Sequence, residues 1–62
     1  MKDAKILIID DQEVNVEILA QVLNDAGYAH VDVETDPRKG LQRYQNELFD
    51  LLLLDLLMPH MN

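Results

Sequence analysis

"AKILIID", residues Ala4 to Asp10, is a short apolar run rich in isoleucine and without polar alternation. A strand wetted on one face alternates, so an unbroken run is expected of a strand covered on both faces, as in parallel sheets. A second run of this kind, "DLLLLD" from Asp50 to Asp55, ends like the first on a carboxylate, and Met58-Pro59 then forces the chain out of the extended conformation. Between the two runs the hydrophobic period changes. Val14, Ile18, Leu19, Val22, Leu23 and Ala26 recur at three- and four-residue steps, and Gly27 stands where a helix cap belongs, which predicts a first helix. "AHVDVETD", Ala29 to Asp36, sets Val31 and Val33 among charged residues, the pattern of a half-exposed or edge strand. Asp36 then offers an N-cap side chain and Pro37 a first helical position, after which Leu41, Tyr44 and Leu48 line one face of a second helix that Gly40 weakens. The order β-α-β-α-β is the repeating unit of a parallel α/β sheet with right-handed crossovers.

Composition narrows the function. The chain has 62 residues, one small domain at most, and twelve Asp and Glu against five Lys and Arg give it a net charge of −7. Such a surface repels nucleic-acid phosphates and anionic lipid, so direct binding to nucleic acid or membrane is not expected. The absence of cysteine excludes a disulfide framework or a thiolate metal site and fits a cytoplasmic location. The first residues show no signal peptide, and the longest apolar run is far short of a membrane span.

The acids at the strand ends carry the chemistry. Functional groups of open parallel sheets gather beyond the carboxyl ends of the strands. If the first and third strands are neighbours, Asp10, Asp11 and Asp55 converge, and their mutual repulsion calls for a cation. A few oxygen ligands with room for water favour Mg2+ over Ca2+. Each aspartate taken alone has an equal alternative as a helix cap or turn residue.

"KILIIDDQEVN", followed one β-α-β-α later by "DLLLLDLLMPHMN", resembles the N-terminal half of a response-regulator receiver domain of two-component signalling, across all of residues 1–62. The resemblance implies a truncated flavodoxin-like half with three parallel strands in order 2-1-3, completed by oligomerisation. It implies that Asp55 accepts a phosphoryl group from a histidine kinase or phosphotransfer protein. Asp10, Asp11 and Asp55, with the backbone carbonyl of Leu57, would hold Mg2+, and Met58 and Pro59 would shape the following loop. Asn15 resembles a position often seen in receivers joined to sensor kinases or output enzymes. An aspartyl nucleophile suits such a transfer, which needs mainly in-line positioning and charge neutralisation.

The family's later hydroxyl residue, lysine and switch aromatic have no counterpart in residues 1–62, so transfer is expected to be impaired. Lys5 and Lys39 stand in the wrong elements to replace that lysine. The alternative is a non-signalling assembly or folding fragment: Leu51, Leu52, Leu53 and Leu54 would form an edge that pairs with a second copy, giving a homodimer of strand order 2-1-3-3′-1′-2′. Strand or helix exchange between copies is the other form of that assembly. Enzymatic readings are disfavoured. A phosphohydrolase of the Asp-x-Asp type would place an acid where Leu57 stands, and a dinucleotide-binding turn needs glycines that "DDQEVN" lacks. His30 and His60 have no second ligand at metal spacing. Tyr28 and Tyr44 are expected to pack, and Arg38, Lys39 and Arg43 to form a solvated face.

Overall fold

The computed structural model describes residues 3–54. Its elements follow in the order β1 (Lys5–Ile9), α1 (Glu13–Asp25), β2 (His30–Glu34), α2 (Pro37–Asn46) and β3 (Leu51–Leu54). All strands run parallel in the order β2-β1-β3, so the isoleucine-rich run lies in the middle of the sheet and is buried on both sides. This is the α/β architecture that the two unbroken apolar runs require. No helix among the described residues is long and apolar enough to cross a membrane.

Register and pleat assign each residue to a face. Ile6 pairs with Val31 and Leu51, and Ile8 with Val33 and Leu53; Ile6 and Ile8 pack with Val16, Ala20, Leu23, Tyr28, Val31 and Leu53 in the core under α1. Leu7 and Ile9 point the other way, toward α2, alongside Leu52 and Leu54 of β3 and Asp32 and Glu34 of β2. The alternation in "HVDVE" therefore sends its valines to one helix and its acids to the other.

The core corrects the expected face of α1. Val16, Ala20 and Leu23 meet the sheet, whereas Val14, Ile18 and Val22 are 64, 55 and 58% exposed. Both stripes have helical spacing, and the helix turns its inner stripe toward the isoleucines because the chain enters from Gln12 and leaves through a fixed cap. At that cap Tyr28 N–H donates to Leu23 O and Gly27 N–H to Asn24 O, both at 3.0 Å, with Gly27 at φ 102°, the left-handed conformation that glycine adopts without strain.

In α2 the expected start is present: Asp36 is the N-cap, its carboxylate accepts the Arg38 N–H at 2.9 Å, and Pro37 opens the helix. The expected packing face is not. Leu41, Tyr44 and Leu48 remain exposed, Leu48 to 92%, and the buried residue is Gly40. A Cβ on Gly40 would overlap the Ile9 side chain, so the glycine that costs helix propensity is what lets α2 lie on β1. Arg43 is also not merely solvated: its guanidinium reaches Asp32 at 2.8 Å, Glu47 at 3.3 Å and the Val33 carbonyl at 3.4 Å. It turns inward because the sheet face beneath α2 carries Asp32. Tyr28 packs against the core as expected, and Tyr44 packs only through its ring, stacked on Phe49 with centroids 6.5 Å apart.

Candidate functional site at the carboxyl ends of β1 and β3

Asp10 follows the last residue of β1 and is 2% exposed, an acid carried inside by the strand that precedes it. Its N–H extends the β1–β2 ladder to Glu34 O at 3.2 Å, and its Oδ1 accepts the Gln12 N–H at 2.9 Å. That bond turns the chain toward α1 and holds the carboxylate in one place. Asp11 is half-exposed in the same turn. The N-cap of α1 is Gln12, so neither aspartate is the helix cap, although Asp10 does serve the turn locally.

β1 and β3 are neighbours, the condition on which convergence of the acids depends. Their register pairs Ile9 with Leu54, which sets the residues that precede Asp10 and Asp55 in the sequence side by side. Asp55, Leu57, Met58 and Pro59 lie outside the described residues, as does His60. Among the described residues no group of three or more His, Cys, Asp or Glu is placed to hold a metal. Asp10 and Asp11 supply two carboxylates and neither nitrogen nor sulfur, a donor pair suited to a hard cation such as Mg2+ once further oxygen ligands join it. His30, at the exposed start of β2, is not part of this end of the sheet.

A cleft of about 540 Å3 opens over the same strand ends, lined by Ile8, Ile9, Asp10, Leu19 and Leu52 to Leu54. It is an apolar trough with one buried carboxylate in its wall. The surface beside it escaped the sequence reading: Val14, directly after the acid turn, begins the exposed stripe Val14–Ile18–Val22 along α1. The available signal was that α1 has more apolar positions than one buried face can use.

The comparisons with known proteins agree with this geometry. The family model of the response regulator receiver domain matches residues 6–62. The chain is 36% identical over 58 residues to the response regulator ArlR of Staphylococcus saprophyticus, and 36% identical over 58 residues to the transcriptional regulatory protein HprR of Escherichia coli. Each match covers 94% of this chain and 26% of the relative. It is also 36% identical over 61 residues to hybrid signal transduction histidine kinase B of Dictyostelium discoideum, covering 98% of this chain and 3% of that protein. The chain thus spans about a quarter of the response regulators it matches, and no solved structure matches it. Three parallel strands ordered β2-β1-β3, an acid pair closing the central strand and a family match over nearly all of its length lead to one conclusion: this chain belongs to the response regulator receiver domain family.

Proposed function

We propose that the chain is a phosphoacceptor module of two-component signalling, in which Asp55 takes a phosphoryl group from the histidine of a kinase or phosphotransfer protein. The observation that supports this most directly is the pairing of Ile9 with Leu54, since it brings the strand carrying Asp10 and Asp11 against the strand that leads into Asp55. In the transfer, a carboxylate oxygen of Asp55 attacks phosphorus, the O–P bond forms as the N–P bond breaks, and the electron pair of that bond returns to the imidazole. Asp10, Asp11, Asp55 and the Leu57 carbonyl would hold Mg2+, which when bound supplies charge neutralisation for the phosphoryl oxygens. Met58 and Pro59 would shape the loop that follows. The module accepts a group and turns over no substrate of its own. A donor charged from ATP goes with a cytoplasmic setting, and the acidic surface goes with neither nucleic-acid nor membrane binding.

Treatment with acetyl phosphate and Mg2+ should give an acid-stable, hydroxylamine-labile phosphoryl group that maps to Asp55. A label on any other residue, or none, refutes the assignment.

A protein donor must bring its imidazole to the acid end and therefore covers the surface beside it. The stripe Val14–Ile18–Val22 starts there, and we assign it to the donor's docking face. Ile18→Asp should slow labelling by a kinase roughly tenfold or more, the loss of one interface anchor, and leave labelling by acetyl phosphate unchanged. Equal effects on both donors would mean that the variant has damaged the site and not the docking face.

A second reading, assembly, is favoured by the uncharged outer side of β3. Leu51 to Leu54 would pair antiparallel with the same residues of a second copy, a homodimer that sedimentation equilibrium detects.

A further inference from the structure

The two helices are held to the sheet by different forces. α1 is anchored by Val16, fully buried between Ile6 and Ile8. α2 buries only Gly40, which has no side chain, and leaves its large apolar residues in water. Charge makes up the difference. Arg43 bonds Asp32 and the Val33 carbonyl of β2, and shares Glu47 with Lys5 of β1, whose Nζ lies 3.5 Å from that carboxylate. Phe49 fills the space between them, with Lys5 Nζ 4.7 Å and the Arg43 guanidinium 6.0 Å from the centre of its ring. All of these charged side chains are partly exposed, so dissolved ions reach them.

We infer that α2 is a salt-sensitive clasp, fastened to the sheet by the Arg43–Asp32 and Lys5–Glu47 pairs around Phe49, and that it lifts from the sheet as a unit while α1 stays in place. Apolar burial holds in concentrated NaCl whereas exposed ion pairs weaken, which separates the two attachments. The lifting bears on the site because Gly40 rests on Ile9, the residue before Asp10. An open clasp uncovers the end of β1 and loosens the acid pair. That consequence alone depends on the Mg2+ reading, and the test leaves Mg2+ out so that the two ideas fail separately.

The test is amide hydrogen exchange by NMR on the chain at about 20 mM and about 1 M NaCl, a range over which the screening length falls from more than 10 Å to about 3 Å. In 1 M salt the α2 amides from Gly40 to Asn46 should exchange roughly five- to tenfold faster, as expected for two weakened surface pairs, with α1 changing less than about twofold. Arg43→Met, which keeps the aliphatic stem but leaves the Lys5–Glu47 pair, should give part of that acceleration in α2 at low salt and reduce the salt response. Exchange that rises equally in α1 and α2, including loss of protection throughout the chain, would overturn the clasp. So would α2 amides indifferent to both salt and Arg43→Met.

Discussion

Asp11→Asn is expected to weaken Mg2+ binding by roughly 100-fold, and Asp55→Asn to do the same and remove the hydroxylamine-labile phosphoryl group altogether. Asp11 is the cleaner probe of the acid pair. Asp10 is buried, and its carboxylate accepts the Gln12 N–H that turns the chain into α1, so changing it alters the fold as well as the charge. Asp11 stands half-exposed in the same turn, and the bond that shapes this turn, Gln12 N–H to Asp10 Oδ1, does not involve its side chain. Replacing it with the isosteric amide would remove one negative charge from the proposed Mg2+ site and leave the helix start in place. Calorimetric titration with MgCl2, with helical content followed by circular dichroism, separates the two effects. Unchanged affinity in both variants would refute the site, whereas lost helical content in Asp11→Asn would assign that residue to the fold.

What the sequence made legible follows from how each residue is constrained. The strands were readable because an unbroken apolar run such as residues 6–9 has few ways to bury both of its faces, and the cap of α2 because Asp36 and Pro37 act within a few residues. The packing faces of the helices were not readable, since α1 offers two stripes of helical spacing, Val14–Ile18–Val22 and Val16–Ala20–Leu23. Only the position of the isoleucines beneath it decides between them. The inward turn of Arg43 depends on Asp32 lying on the α2 side of the sheet, a fact of strand register across eleven residues of sequence. The candidate site divides in the same way. Asp10 and Asp11 announce themselves as strand-end acids, whereas the proximity of their strand to the one leading into Asp55 is a property of sheet order. Periodicity does not report that order; the family resemblance supplied it.

Replacing Leu52 and Leu54 with Lys is expected to convert a dimer into monomers and to unfold the chain with it. In the sheet of residues 3–54, β1 is paired on both sides, which leaves β2 and β3 outermost. β2 guards its edge with His30, Asp32 and Glu34, while β3 presents four leucines and no charge, with Leu51 and Leu54 exposed. On the assembly reading, strand addition by a second copy would be directed to β3. Two antiparallel copies of one strand in one sheet are related by a two-fold axis normal to that sheet, so a residue faces only partners on its own face. The axis then lies between the strands, level with Leu52 or with Leu53. In the first register Leu52 meets its own copy, and in the second Leu52 meets Leu54 of the other copy; lysines at both positions put like charges opposite each other in either case. Leu52 also pairs with the buried Leu7, so the double variant damages the sheet within each copy. In the second register Leu54→Lys alone, at an exposed position, should weaken association by roughly tenfold or more while the circular dichroism of a folded chain persists, whereas in the first register it would face Asp50 of the other copy and leave association intact. Sedimentation equilibrium of the wild-type chain at micromolar concentration decides the matter: a folded monomer there would sink the proposal, and a dimer untouched by either lysine variant would place the interface elsewhere.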